Sequence, residues 1–169
     1  LVGLIDVGTY TTDLLIVRNQ DGKTAILRDS CKSVPVGITQ IYESLSTAFK
    51  GKTGLPLPPQ MYQGALDMAV QNKPMYFQGN PVYLAKELER AKQEVAESIH
   101  GYVSSLWGPW LNFLYRIVLA GGGVKLFGKE LSIIPGTLTI VSDPVYANAT
   151  GYLQTLKSHA VRPGIHLVQ

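Results

Sequence analysis

The chain has 169 residues, 46% of them hydrophobic and 16% charged, which suits one globular domain with a sizeable core. A net charge of +3 without a Lys/Arg cluster does not imply nucleic-acid binding, and no apolar run approaches the length of a membrane span. The lone Cys31 excludes an internal disulfide framework and fits a reducing cytoplasm.

The N-terminus lacks a basic region followed by a cleavable apolar segment, so no signal peptide is expected. The chain opens without Met, directly in a strand pattern, which reads as an excised or processed domain. Residues 2–7 and 14–17 are short runs of Val, Ile and Leu, the pattern of buried strands. Residues 8–11 between them are too few for a crossover, so the two strands are predicted to pair as an antiparallel hairpin. Asn19-Gln20-Asp21-Gly22 is a turn signal, and residues 23–29 read as the third strand of a meander, followed by a loop over 30–35. Apolar residues recur at helical spacing over 36–49, with Gly51 as the stop. A Pro-rich break over 54–59 leads to a short helix over 59–70 and a short strand over 74–77, closed by Gly79-Asn80-Pro81.

Residues 81–106 carry the longest helical pattern, with Pro81 in the first turn, Leu88, Ala91, Val95, Ile99 and Leu106 on one face, and a stop at Gly108-Pro109. Residues 110–115 are aromatic-rich, and 116–120 read as a buried strand running into Gly121-Gly122-Gly123. A short amphipathic segment over 124–131, a strand over 137–141 and a helix over 145–157 complete the order, with Asp143 as cap and Pro144 in the first helical position. The tail to Gln169 carries no clear pattern. The expected fold is α/β, with a mixed sheet that starts as an antiparallel hairpin, adds parallel strands by right-handed crossovers and carries helices on both faces.

Three stretches carry chemistry. In the first, Asp6-Val-Gly8-Thr9-Tyr-Thr11-Thr12-Asp13, a hairpin tip offers backbone amides, Gly8 admits a ligand closely, and the threonine hydroxyls add donors. Such a concave turn suits a phosphate chain. Carboxylates beside a phosphate site usually act through a hard cation such as Mg²⁺ and its waters, which assigns that role to Asp6 and Asp13. An ordinary turn hydrogen bond is the other reading of Asp13. The second stretch, residues 117–125, is a strand ending in three glycines that run into a helix. A ligand lying against the main chain and a tight strand-to-helix turn both explain it. The third, Asp143-Pro-Val-Tyr146-Ala147-Asn148-Ala-Thr-Gly151-Tyr152, places a glycine in mid-helix, a cost of about 1 kcal/mol against Ala that close approach of another backbone would explain.

The first stretch resembles the second phosphate loop of the actin, heat-shock chaperone and sugar-kinase ATPase superfamily, which reads Asp-x-Gly-x-x-Thr-x-Asp; here Asp6, Gly8, Thr11 and Asp13 take those places. The glycine stretch resembles that superfamily's adenosine motif in type and in position. The third resembles the closing helix of plasmid-partition (ParM-type) actin-like proteins and their archaeal relatives, Asp-Pro-x-Phe/Tyr-Ala-Asn-x-x-Gly-Phe/Tyr. The resemblance implies a ribonuclease H-like, actin-like ATPase domain over residues 1–169, the second half of a two-domain protein whose first domain is missing here. It implies ATP (or GTP) and Mg²⁺ as cofactors, with Asp6 catalytic and holding Mg²⁺ or its waters. Gly8, Thr9, Thr11 and Thr12 would cradle the β- and γ-phosphates, and Gly121, Gly122 and Gly123 would flank the adenosine. Glu89 and Lys92 resemble a chaperone pattern that contacts ribose and base; an i,i+3 surface salt bridge also explains the pair. The implied function is a filament-forming ATPase that segregates plasmids or other DNA through a DNA-bound adaptor protein. The alternatives are a non-polymerising adaptor and a chaperone-like protein of the same fold. The isolated half is expected to lack part of the catalytic apparatus.

Overall fold

The structure, a computed structural model, describes residues 1–20 and 23–160. Strands β1 (Val2–Val7), β2 (Thr12–Gln20) and β3 (Lys23–Val34) form an antiparallel meander. Helices α1 (Ile38–Thr53) and α2 (Tyr62–Val70) follow, then a two-stranded ribbon of β4 (Met75–Phe77) and β5 (Asn80–Val82). Helix α3 (Ala85–Trp107) leads to β6 (Arg116–Ala120), the short α4 (Val124–Phe127), β7 (Leu138–Ile140) and α5 (Ala147–Ala160). The main sheet has the order β3-β2-β1-β6-β7, with β6 parallel to β1 and β7 parallel to β6. The mixed sheet, its hairpin start and its late parallel additions are those the sequence predicts. Asp21 and Gly22 of the first turn signal, and the tail over 161–169, lie outside the described residues.

One face of the sheet is the core. Ile5, Val7, Leu14, Ile16, Ile117 and Leu119 alternate along the strands toward it, and all are buried. Against them pack Ile41, Leu45 and Phe49 of α1 and Leu88, Ala91, Val95, Ile99, Val103 and Trp107 of α3. Trp107, the largest buried side chain, lies under the middle of the sheet. A Cβ on Gly3 would come within 2.8 Å of its ring, so a glycine in β1 makes room for it. The indole N–H donates to Ser30 O at 2.9 Å. On the opposite face Leu4, Leu15, Val17 and Val118 are half-buried, and α5 begins over that side.

Several boundaries differ from the sequence reading, each for a local reason. Residues 30–34 continue β3 instead of looping: the register slips opposite Leu15, and Ser30 Oγ fills the gap by accepting from Ile16 N (2.8 Å) and donating to Leu27 O (2.6 Å). Helix α1 runs past Gly51 and stops at Gly54, whose φ of 84° is left-handed and whose N–H caps Lys50 O. Pro81 is a strand residue of β5, turned there by Gln78 (φ 50°) and Gly79 (φ 81°), so α3 starts at Ala85. The segment expected as one amphipathic helix over 124–131 splits into α4 and a 3-10 turn, Glu130–Ile133. Asp143 and Pro144 stand before α5 rather than inside its first turn.

Candidate functional site

The carboxyl ends of β1 and β6 lie side by side, and their chains lead away in opposite directions, β1 to β2 and β6 toward β7. Open α/β sheets bind ligands at such a point. All three motif stretches meet there.

The tip of the β1–β2 hairpin closes with Gly8 N donating to Thr11 O at 2.8 Å. The start of α1 packs beneath it. Ile38 N donates to Gly8 O at 3.3 Å, Thr39 N to Thr9 O at 2.9 Å, and Thr39 Oγ1 to the same oxygen at 3.2 Å. These are helix-start donors that have no partner within their own helix. A Cβ on Gly37 would lie 2.6 Å from Thr9 O, so only glycine lets α1 come this close. The N–H and C=O of a trans peptide point opposite ways. With the carbonyls of Gly8 and Thr9 turned onto α1, the amides of Thr9 and Tyr10 are aimed away from it, and no described group accepts from either. The side chains of Thr9 and Thr11 are exposed beside them.

Thr12 does not join this cradle. It is fully buried, and its hydroxyl donates to Val36 O at 2.7 Å, latching β2 to the segment before α1. This corrects its assignment as a phosphate ligand: strand alternation turns Thr12 inward while Asp13 turns out.

Asp6 and Asp13 are direct cross-strand partners on the face opposite the core. Like charges so placed repel, and a cation between them removes the repulsion. Mg²⁺ takes one or two carboxylates and keeps several waters, so this oxygen-only pair fits it, although no cluster of three or more His, Cys, Asp or Glu exists among the described residues.

The three glycines are not equivalent. Gly121 has a φ of 89°, and a Cβ on it would lie 2.3 Å from Val7 O and 2.4 Å from Asp6 Oδ1. On Gly123 a Cβ would meet Val7 Cγ1 at 2.5 Å. Both glycines exist for packing against β1, and their amides are used, Gly121 N on Pro144 O (2.8 Å) and Gly123 N on Val7 O (2.9 Å). Only Gly122 faces open space, with nothing within 4 Å of a Cβ and no described partner for its N–H. The amides that follow are also taken: Val124 N and Lys125 N donate back to Gly121 O and Gly122 O at 3.3 Å. The run is therefore a wound turn presenting one free amide, rather than a row of open helix-start donors.

Sequence reasoning assigned no site role to Asn148. Its Nδ2 donates to Asp6 Oδ2 at 2.7 Å, across 142 residues of chain. The motif match around Asn148 was a signal, but its partner could not be read from it. Glu89 and Lys92 bond to each other, Nζ to Oε1 at 2.7 Å, so the pair forms the salt bridge its spacing predicts, and no described bond ties it to the hairpin or the glycines. A groove of about 400 Å³ beside the tip is lined by Thr9, Tyr10, Thr39, Tyr42 and Tyr62 among others. The rings of Tyr42 and Tyr62 stack there at 5.6 Å. Burial, and then the negative charge of Asp67, push the Tyr42 hydroxyl above its ordinary pKa of 10.0, so it stays protonated.

Comparison with known proteins agrees with this geometry. A family model described as "Archaeal actin homologue MreB-like, C-terminal" matches residues 4–133. No curated protein sequence matches the chain. Among solved structures, a pCBH ParM non-polymerisable quadruple mutant superposes with a TM-score of 0.84 at 29% identity, over 93% of this chain and 46% of that one. A ParM from a 15-stranded filament of Clostridium botulinum gives 0.81 at 29% identity, over 93% and 45%. The archaeal actin homolog Ta0583 in complex with ADP gives 0.78 at 25% identity, over 93% and 49%. The chain thus spans about half the length of the structures it matches. With the sheet order, the hairpin tip and the family model in agreement, the chain belongs to the archaeal actin homologue MreB-like C-terminal family, within the actin-like superfamily.

Proposed function

We propose that this chain is the second, nucleotide-binding half of an actin-like ATPase that assembles into filaments in the cytoplasm and segregates plasmids or other DNA through a DNA-bound adaptor protein. Residues 1–169 act as one domain, and a first domain closes the other side of the cleft. Support comes chiefly from the hairpin tip, where the Thr9 and Tyr10 amides are turned outward beside the exposed Thr9 and Thr11 hydroxyls. That is a donor set for phosphate oxygens. Gly122 is where an adenosine can lie flat on the main chain, with the nearby N–H unspent.

Mg²⁺, when bound, would neutralise phosphate charge and order the water around it. Asp6 and Asp13 would hold it through their outward carboxylates. The tip amides would fix the phosphates, and Asp6 would orient a water for attack in line with the leaving oxygen. Groups from the other domain complete the site, so the half alone binds weakly and does not turn over.

A filament needs two different faces joined head to tail. At the far end of β6 from the site, Phe113 and Tyr115 are 70% and 71% exposed and Trp110 40%, while Trp107 is wholly in the core. The Arg116 guanidinium sits 4.8 Å over the Tyr115 ring. Exposed aromatics with an arginine are the composition of interface hot spots. This end of the domain is the proposed contact with the next subunit.

The test is pelleting and light scattering of the full-length protein with Mg²⁺ and ATP, with GTP in parallel. Polymer is expected above a critical concentration, and disassembly after hydrolysis. The pair of changes Phe113→Ser and Tyr115→Ser should abolish pelleting and leave nucleotide binding intact. A protein that binds ATP yet stays monomeric at every concentration would instead be an adaptor or a chaperone-like ATPase.

A further inference from the structure

Helix α5 starts over the carboxyl end of β1 and presents its described side chains largely to solvent. Its large apolar residues stand in solvent, Tyr152, Leu153 and Leu156 among them, and its side chains are exposed from Asn148 through Lys157. The lead-in is held by Pro144, which is buried and whose carbonyl accepts from Gly121 N at 2.8 Å. Beyond that, a side-chain hydrogen bond ties the first turn of α5 to the end of β1. It is the bond from Asn148 Nδ2 to Asp6 Oδ2. An ionised carboxylate only accepts, so the amide must turn its NH₂ to Asp6.

Asp6 is thereby bonded at one carboxylate oxygen and closely packed at the other. Its Oδ2 carries the Asn148 bond, and its Oδ1 lies so close to Gly121 that a Cβ there would be 2.4 Å away. Without Asn148, the carboxylate would have the neighbouring Asp13 pushing it away and no side-chain donor among the described residues to hold it. A side chain that orients a ligating carboxylate from outside the metal's own shell matters to the geometry of the site without touching the substrate.

We infer that Asn148 is a positioning residue for Asp6, and that its hydrogen bond couples the first turn of α5 to the nucleotide site. The inference rests on the nucleotide-binding role proposed above and adds its regulation. Through Asn148, the placement of α5 sets the orientation of Asp6. Binding at Asp6 is felt in the opposite direction by α5, because coupling between two sites is reciprocal.

The test uses the full-length protein, as wild type, Asn148→Ala and Asn148→Gln. Fluorescent-nucleotide titration with Mg²⁺ gives affinity, phosphate release gives turnover, and hydrogen exchange follows the amides of 147–153 with and without Mg²⁺ and nucleotide. Asn148→Ala should leave affinity within about threefold and lower turnover by about 10–100-fold, the range found when partners of metal ligands are removed. It should also erase the nucleotide-dependent change in exchange at α5. Asn148→Gln keeps the amide donor and should recover turnover and the exchange response at least in part. If wild type binds nucleotide while Asn148→Ala turns over within twofold of it and α5 still responds, the coupling is refuted and the nucleotide site stands. If wild type binds no nucleotide, both the site and the coupling fall.

Discussion

Replacing Gly121 and Gly122 singly by alanine separates packing from ligand contact within one glycine run. At Gly121 the backbone has a φ of 89°, and the new Cβ would lie 2.3 Å from Val7 O and 2.4 Å from Asp6 Oδ1. Holding an L-residue in the left-handed region costs about 1–2 kcal/mol. Overpacking adds about 1–3 kcal/mol, since backbone atoms of β1 cannot swing away like a flexible side chain. The expected loss for Gly121→Ala is therefore about 2–5 kcal/mol, a fall in Tm of about 4–20 °C at this size. At Gly122 a Cβ meets nothing within 4 Å, and φ is not left-handed, so the stability of Gly122→Ala should match wild type within about 0.5 kcal/mol. Its effect should fall on nucleotide affinity instead. Thermal and urea unfolding of both variants, beside nucleotide titration, give the comparison. Equal destabilisation of the two, or a Gly121→Ala protein as stable as wild type, would refute the packing derived from Val7 and Asp6.

Asp6→Ala in the full-length protein should slow hydrolysis by on the order of 10²–10³ while weakening nucleotide binding far less, as expected when one transition-state electrostatic contact is removed; an unchanged turnover number would make Asp6 a turn residue only. On the surface between α1 and α3, Lys52 Nζ lies 2.7 Å from Glu87 Oε1. The Lys52 hydrogen bond holds the Glu87 carboxyl below its ordinary value of 4.5. A depressed carboxyl contributes stability above the unfolded value and loses it as pH falls through the folded one. Glu87→Gln should therefore cost about 0.2–1 kcal/mol at pH 7, the range for a partly exposed pair, and the difference should vanish at strongly acid pH. A wild-type advantage that persists there would show that the pair acts through packing.

Much of the domain was legible in local pattern. Short runs of Val, Ile and Leu gave β1 and β2, 3.6-residue spacing gave α1 and α3, and the order of the three motifs pointed to the actin-like fold. These signals depend on neighbours a few residues apart, so the sequence carries them directly. Strand alternation, applied from Leu14 back to Thr12, would have turned the Thr12 hydroxyl inward and away from the phosphate cradle, since Val7 and Thr12 are cross-strand partners. Other features depend on which elements the topology brings together. Gly121, Gly122 and Gly123 are identical as letters; β1, paired beside β6, leaves room for a side chain only at Gly122. Trp107 is core and Phe113 is surface because α3 ends beneath the sheet and the chain then turns outward to begin β6. Asn148 meets Asp6 only because Pro144 is tied to Gly121, which brings the start of α5 over the end of β1. No local pattern encodes a contact across 142 residues, because its geometry is the sum of every turn between them.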